Sequence, residues 1–413
     1  MTEVAVVFEP SKNKKAVPVT QANPFPVAFG AGASSQFGEA LTVERTPIIE
    51  LNSAYGVTAV RDVTSVTNSG AITSPGTGEI LLSTGATASS TADLYSGERG
   101  RYIPGYGAQV GVGVRIPVSP TGEQSVKWGL ITPDGNEGFY FGMDATGLYA
   151  AVVRSGTETE KVYQSSFNLD LADGSGDTGY VLDVSKGNIF QIDFTWYGYG
   201  QILFGVLGVV GGYQKFIPLH QYRPTDQTSI RTPNLPVTVL STNGATASDF
   251  DVYVGGRQYS IIGEYAPKYR ATGQERASVS VGSGVVEPLV SFRSKSGFED
   301  RSLQVESITA IVQTTPVVAE IYINPTLTGA SWANPTNYTA AETAVETDVS
   351  ATSLSGGTLI WSELLPAGSG TNRAASKALN TIDIPENQVV TLAFRGVGGT
   401  ATVTAQLVMR EEW

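Results

Sequence analysis

The stretch Phe190-Gln-Ile-Asp-Phe-Thr-Trp196 decides the fold of this chain, because apolar and polar residues alternate in it at every step. Successive side chains of a β-strand point to opposite faces of the sheet, so the alternation predicts a strand with one buried face. Trp196 completes the apolar face, and Tyr197 falls on the opposite one. Two neighbouring stretches, 148–154 and 201–207, alternate less strictly and are predicted as strands that are covered on both faces.

Sequences typical of turns separate these strands. They are Pro133-Asp-Gly-Asn136, Asp173-Gly-Ser-Gly176 and Gly211-Gly212. Short strands at this spacing, with no long helical period among them, predict an all-β fold. We expect a large β-sandwich of the lectin or jelly-roll kind over residues 46–266.

Beyond residue 266 the strand pattern weakens and then returns. Basic residues interspersed with glycine and serine predict a connector over 267–300. Alternation at Val317–Ile323 and Ala401–Met409 predicts a smaller C-terminal β-sandwich over 301–413. Thr339-Ala-Ala-Glu342 matches a helix capping box, but the alternating residues after it favour a loop that leads into a strand.

The first 45 residues are predicted to form an extended N-terminal arm. Prolines at positions 10, 18, 24 and 26 exclude a continuous helix and favour extended backbone around them. Such an arm either stays mobile or becomes ordered against a neighbouring subunit, and both alternatives are open at this point. If it docks, the candidate docking residues are those of its basic cluster and two aromatic residues: Lys12, Lys14, Lys15, Phe25 and Phe29.

The composition of the 413 residues excludes several classes of function. The chain has no cysteine and a single histidine, so it has no disulfides, thiolate metal sites or clusters of histidine ligands. The net charge of -12 argues against nucleic acid and acidic membranes as partners, because both attract a basic surface. No apolar run reaches the length of a membrane span, and the first residues are unlike a secretory signal. Only 15% of the residues are charged, which favours large subunit contacts.

Side chains suited to catalysis are scarce. His220 lies between two prolines, and the chain has no Gly-x-Ser-x-Gly motif and no phosphate-binding loop, so His220 is predicted to be a hydrogen-bonded loop or strand-end residue. Acidic residues at 170–177 and 249–251 lack the spacing of a calcium loop and are interpreted as solvated turns, with a calcium or carbohydrate contact as the alternative. No catalytic, cofactor or metal residue is predicted. A glycosidase pair stays open, because its two carboxylates are brought together only in space.

Aromatic residues offer the candidate binding site. Tyr197 and Tyr199 stand close together in Trp196-Tyr-Gly-Tyr-Gly200, and flat aromatic faces can stack on sugar rings. We therefore predict a glycan contact at these two tyrosines. Coverage by a second sheet is the alternative for Tyr197.

Several blocks of the sequence resemble segments of virion structural proteins of tailed bacteriophages. In the predicted large sandwich they are Thr46–Gly56 with Val60–Asp62, Gly187–Gly200 and Thr232–Pro236. In the C-terminal part they are Ile323–Gly329, Ser355–Ile360 and Gly399–Ala405. None of these blocks is a catalytic signature, so the resemblance assigns no active-site residue.

The resemblance implies a fibre or decoration protein on the outside of a virion that is made in the cytoplasm of a bacterial host. We expect a non-enzymatic homo-oligomer, with a trimer favoured, whose arm contacts other virion proteins such as capsid or tail components. A receptor-binding tail-fibre adhesin that recognises host surface glycans is the alternative, and a polysaccharide depolymerase is the third hypothesis. No cofactor, nucleic acid or membrane is expected as a partner.

Overall fold

The computed structural model describes residues 45–264, 269–298, 301–368, 371–374 and 388–412. Regular structure in these ranges is almost entirely β-strand, with two short 3-10 turns at Ser53–Tyr55 and Gln164–Ser166. The predicted all-β fold class is confirmed. No helix in the described ranges is long and apolar enough to cross a membrane. The predicted docking residues of the arm lie outside the described residues: Lys12, Lys14, Lys15, Phe25 and Phe29.

Two antiparallel sheets form the large sandwich. The first sheet contains eight strands, in the spatial order β13 (Tyr213–Tyr222), β12 (Ile202–Val210), β11 (Asn188–Phe194), β6 (Gly107–Arg115), β15 (Asp251–Ile262), β4 (Ile80–Ser83) and β3 (Ala71–Thr73), with β1 (Arg45–Leu51) also paired to β15. The second contains seven, in the order β10 (Thr157–Tyr163), β9 (Gly147–Arg154), β8 (Gly138–Asp144), β7 (Ser125–Ile131), β14 (Pro236–Thr242), β5 (Thr91–Arg99) and β2 (Asp62–Thr67).

Aromatic side chains fill the space between these two sheets. Phe190 and Phe194 of β11 are fully buried, as their alternation with polar residues predicts. The Phe190 ring centroid lies 4.9 Å from that of Trp128 and 5.0 Å from that of Phe141, both on the second sheet. Phe194 contacts Phe139 in the same way, at 4.7 Å. Each such pair contributes about 0.5–1.5 kcal/mol beyond the burial of its surface, so β11 is firmly fixed in the sheet.

A second pair of sheets forms the small sandwich. One contains β16 (Tyr269–Val281), β26 (Ala401–Glu412), β18 (Ser302–Gln313) and β24 (Thr371–Ala374) in that order. The other contains β21 (Val345–Asp348), β17 (Val286–Ser294), β25 (Val389–Gly396), β19 (Val317–Ile323) and β23 (Thr358–Leu365). A two-stranded ribbon pairs β20 (Thr326–Thr328) with β22 (Ser353–Ser355). The core between the sheets is mainly aliphatic, with Leu392, Leu407 and Met409 fully buried.

The connector predicted over 267–300 is wrong, because that range contains strands β16 and β17 of the small sandwich. In β16 the buried positions include Thr272 and Gln274 in place of apolar residues, which weakens the sequence pattern. The Gln274 side chain accepts a hydrogen bond from the Thr336 backbone N–H at 2.8 Å. A strand whose buried positions are partly polar does not show the alternation by which strands are recognised.

The capping-box motif at 339–342 forms a turn that leads into β21, as the sequence favours. The Thr339 backbone N–H and hydroxyl both donate to Glu342 Oε2 at 2.8 Å. These bonds hold the turn closed without starting a helix.

Candidate functional site

The two tyrosines predicted to contact a glycan lie in the loop between β11 and β12. Tyr197 and Tyr199 each expose 53% of their surface. The Tyr197 backbone N–H donates to the Tyr102 hydroxyl at 3.1 Å, and Tyr102 meets the rings of Tyr197 and Trp196 edge-on at 6.4 and 5.7 Å. Tyr197 is therefore held in place but open to solvent, and its coverage by a second sheet is not observed. Trp196 lies beyond the end of β11 and is only partly buried against the core.

His220 is a buried residue inside β13, so its predicted position at a loop or strand end is wrong. Its Nε2 lies 3.4 Å from Glu160 Oε1, yet neither ring nitrogen has a hydrogen-bond partner among the described residues. Burial lowers the pKa of His220, and the nearby Glu160 charge opposes that shift. The imidazole is therefore neutral at pH 7 and packs between the rings of Phe167 and Phe204.

The acidic stretch 170–177 is only partly the solvated turn that its sequence indicates. Asp173 is exposed, but Asp170 is buried and accepts hydrogen bonds from the Ala172 N–H and the Thr178 hydroxyl at 2.8 and 2.7 Å. Asp170 thus closes the turn. Within the described ranges, no group of three or more acidic or histidine side chains is placed to hold a metal ion.

A groove of about 600 Å³ lies on the first sheet of the large sandwich. Its floor is formed by β6, with Gln109, Gly111 and Gly113, and it also includes Gln191 of β11 and Gln258 of β15. These positions alternate along their strands with residues buried in the core, so they belong to the outer face of the sheet. We call this site the amide groove. Its remaining lining comprises three apolar residues, three charged residues and two others: Ile189, Leu207, Leu51, Arg45, Glu50, Arg257, Asn52 and Gly256. The guanidinium of Arg257 is buried and paired with the Asp62 carboxylate.

A hydrogen-bonded network of amides crosses one end of the amide groove. Gln109 Nε2 donates to Asp193 Oδ1 at 2.8 Å, and Gln191 Nε2 lies 3.0 and 3.1 Å from the two Asp193 oxygens. On the other side, Gln258 Nε2 approaches Gln109 Oε1 at 3.5 Å, and the Ser260 hydroxyl donates to Gln258 Oε1 at 2.6 Å. The network thus joins three neighbouring strands and fixes the orientation of all three amides.

Asp193 is the charged centre of this network. Burial raises the pKa of Asp193 to about 6, although the amides of Gln109 and Gln191 and the charge of Arg45 lower it in part. The carboxylate is therefore ionised at pH 7 and protonated in mildly acidic solution. An amide has two N–H donors and one carbonyl acceptor, so the network does not use all of them. Gln109 and Gln191 expose only 2% and 6% of their surface, so the half-buried Gln258 is the most accessible amide of the three.

A β-bulge shapes the middle of the amide groove. The register of β15 against β6 shifts between Val254 and Arg257, where Gly255 and Gly256 together lie opposite the single residue Gly113. A Cβ atom added at Gly113 would come within 3.3 Å of the Gly255 backbone. At the bulge the floor is therefore bare backbone, which a ligand can approach closely, whereas the Gln258 side chain lies over Gly111.

A second, smaller cavity of about 220 Å³ is lined by residues 53–56 of the chain and by Glu79. Tyr55 in this cavity exposes 85% of its surface. Glu79 binds the Arg115 guanidinium with two hydrogen bonds of 3.0 and 2.7 Å, and the same guanidinium lies 3.9 Å from the centre of the Tyr253 ring. Arg115 lowers the pKa of Glu79, so this ion pair is closed at neutral pH.

Sequence reasoning missed the amide groove although it singled out part of it. Gln191 and Asp193 are two of the three polar residues of the stretch that decides the fold, and its alternation indicates only that they lie on the face away from the core. The sequence Gln109-Val-Gly-Val-Gly113 contained a further signal, since two glycines in place of outward side chains indicate a close backbone approach. The lining of the groove includes neither Tyr197 nor Tyr199, so their predicted glycan contact stays a prediction.

Comparison with known proteins gives structural likenesses at low sequence identity. No protein-family model matches the chain, and no curated protein matches it. Arcelin-5, a lectin-like defence protein from Phaseolus vulgaris, has a TM-score of 0.35 and 8% identity, covering 52% of this chain and 97% of its own. The legume lectin-like domain from Entamoeba histolytica has a TM-score of 0.29 and 11% identity, covering 48% and 88%.

A phage protein is also among the similar structures. It is a carbohydrate esterase from Shiga toxin-encoding bacteriophage phi24B, with a TM-score of 0.29 and 13% identity, covering 53% of this chain and 99% of its own. At these identities and TM-scores, the likenesses assign no function to the chain.

Proposed function

We propose that this protein is a non-enzymatic carbohydrate-binding component of a tailed-bacteriophage particle. Its amide groove binds a host surface glycan, and its sandwiches assemble as a homo-oligomer, with a trimer favoured. The observation that carries the proposal is the set of Gln109, Gln191, Gln258 and Asp193 on the outer face of the first sheet.

Fixed amides and a carboxylate match the chemistry of sugars. A sugar hydroxyl both donates and accepts hydrogen bonds, and it binds best where donors and acceptors are already oriented. The apolar side chains of Ile189 and Leu207 on the opposite wall offer contact for the C–H faces of a ring. A concave site of several hundred Å³ with apolar walls and a few polar groups has the form of a small-molecule site.

Binding rather than hydrolysis is proposed because the described lining of the groove lacks the pair of carboxyl groups that glycoside hydrolysis canonically uses. Glu50 is the single acidic residue in that lining. Asp193 lies outside the lining, and both of its oxygens are hydrogen-bonded to the amides of the network. The virion location is supported by the resemblance of blocks between residues 46 and 405 to phage structural proteins. Docking through the N-terminal arm, which lies outside those blocks, stays a prediction.

Carbohydrate binding can be tested with the purified full chain on an array of bacterial surface polysaccharides, followed by titration calorimetry. We expect the variant Gln191→Ala to bind at least about tenfold more weakly, equivalent to about 1.4 kcal/mol. Gln214→Ala is the matched control, because Gln214 is an exposed glutamine of the same sheet outside the groove. Circular dichroism and thermal unfolding serve as the check that both variants are folded.

Three outcomes separate the alternatives. Equal binding by Gln191→Ala and Gln214→Ala would remove the amide groove as the site. If Tyr197→Ala alone abolishes binding, the glycan contact lies in the β11–β12 loop instead. Release of reducing ends from a bound polysaccharide would contradict the non-enzymatic part of the proposal.

The particle and the oligomer need separate measurements. Sedimentation of the purified chain is expected to give a trimer, and antibody labelling of purified phage particles is expected to mark their outer surface. A monomer that is absent from the particles would overturn this part and leave the carbohydrate site untouched.

A further inference from the structure

The outer face of the first sheet continues beyond the amide groove along β6. From Gln109 to Arg115 the strand advances by six residues, or about 20 Å at 3.3 Å per residue. Gly111 and Gly113 occupy the outward positions between these two residues. The Gln258 side chain lies over Gly111, and beyond it the surface is the backbone of Gly113, Gly255 and Gly256. This strip of backbone is a path that leads from the amide network towards the ion pair of Arg115 and Glu79.

Tyr55 lies next to the second end of this path. It ends the 3-10 turn Ser53–Tyr55, which directly follows Asn52 in the lining of the amide groove. The Ser53 hydroxyl donates to the Gly255 carbonyl at 2.5 Å, which fastens the turn to the bulge of β15. The Ala54 N–H donates to Asn52 Oδ1 at 2.9 Å and closes the turn itself. The turn thus holds an almost fully exposed aromatic ring at a fixed place beside the groove.

The arginines along the path already have acidic neighbours, and Arg257 in the lining is paired with Asp62. Arg115 is neutralised by Glu79 and covered by Tyr253, so it is not free to hold an anionic group. At the first end, the charge of Arg45 acts on Asp193. Glu50 adds a negative charge to the wall, and the chain as a whole carries a net charge of -12. An uncharged ligand fits this surface, whereas a polyanion would be repelled by it.

From this placement we infer that the ligand is an internal segment of a linear, uncharged polysaccharide that lies along β6, from the amide network to Tyr55. The inference rests on the proposed carbohydrate-binding function and adds the form of the ligand. Near the bulge the sugars lie on bare backbone, and at the far end one of them stacks on the Tyr55 ring.

The test measures affinity against chain length. The probes are size-fractionated di-, tetra- and octasaccharides of neutral polymers, namely dextran, cellulose, mannan, galactan and the neutral polysaccharides that bind on the array. We expect the octasaccharide of the recognised polymer to bind at least about tenfold more tightly than its disaccharide. Tyr55→Ala is expected to weaken octasaccharide binding roughly three- to tenfold, as loss of one aromatic contact implies, and to leave disaccharide binding unchanged.

Tyr213→Ala is the matched control for Tyr55→Ala, since Tyr213 exposes 73% of its surface in the β12–β13 hairpin of the same sheet. If Gln191→Ala weakens binding but affinity is independent of length, or Tyr55→Ala has no effect, the extended ligand is refuted and the carbohydrate site stands. Preferential binding of an anionic polymer would likewise refute it. If no neutral or charged glycan binds at all, both the inference and the proposed function fail.

Discussion

The two sandwiches use their polar side chains in different ways. In the small sandwich, polar groups bind neighbouring strands to one another: Arg293 is paired with Glu346 across β17 and β21, and Arg395 with Glu320 across β25 and β19. The buried Glu411 accepts from the Thr343 hydroxyl at 2.8 Å. These contacts join groups within the sandwich to one another.

In the large sandwich, polar groups of the first sheet also join neighbouring strands, but they do so in the lining of a groove on its outer face. Its glutamines are ordered around one carboxylate, its floor lacks side chains at the bulge, and its walls are partly apolar. The comparison teaches that the inward residues of both sandwiches determine the fold. The outward residues of one sheet alone carry the candidate function.

The largest effect is expected from cavities in the two separate cores. Trp128→Ala should destabilise the large sandwich by about 3–5 kcal/mol, and Leu392→Ala the small one by about 2–5 kcal/mol, because each removes a fully buried side chain. In differential scanning calorimetry each variant is expected to lower a different transition. A shift of both transitions by either variant would show that the two cores unfold together.

An intermediate effect is expected from the carboxylate of the amide network. Burial raises the pKa of Asp193 from its ordinary 3.8 to about 6, so folding favours the protonated form. The contribution of Asp193 to the free energy of unfolding is complete below pH 4 and is lost as the pH rises through 6. By pH 7 the ionisation of Asp193 lowers the free energy of unfolding by up to about 3 kcal/mol, because each tenfold change in the ionisation constant corresponds to about 1.4 kcal/mol.

Urea unfolding of the wild type and Asp193→Asn at pH 4, 5, 6 and 7 measures this cost. We expect the free-energy difference between the two proteins to change in favour of the variant as the pH rises. Asp93, whose pKa burial also raises to about 6, titrates in both proteins and cancels in the comparison. A free-energy difference between the two proteins that does not vary with pH would contradict the raised pKa of Asp193.

The smallest effect is expected at the surface of the small sandwich. Arg293 and Glu346 are joined at 2.7 Å, but their side chains are 41% and 30% exposed. A double-mutant cycle with Arg293→Met and Glu346→Gln should give a coupling of about 0.2–1 kcal/mol, because solvent screens the pair. We also expect this coupling energy to nearly disappear in high salt, which is a second check. A coupling of several kcal/mol would mean that solvent does not screen this pair.

The strands with one fully apolar face were predictable from the sequence, and the polar assemblies were not. The alternation around Phe190 is local, so it could be read directly. The amide groove instead joins β1, β6, β11 and β15, whose residues become neighbours only through strand pairing. Strand β16 was missed because two of its buried positions carry the polar residues Thr272 and Gln274. The bond that Gln274 accepts from the distant Thr336 N–H does not show in the sequence of the strand.

Between Val254 and Arg257, β15 carries one residue more than its partner β6, so Tyr253 and Gln258 point the same way although an odd number of positions separates them. Deletion of either Gly255 or Gly256 would leave four positions between Tyr253 and Gln258, equal to the four between their partners Arg115 and Gly111, so regular pairing would keep both side chains on the outer face. The deletion would remove the bulge itself, and with it the exposed backbone of Gly256 beside Gly113. One extra glycine thus sets the shape of this surface without deciding which side chains stand on it.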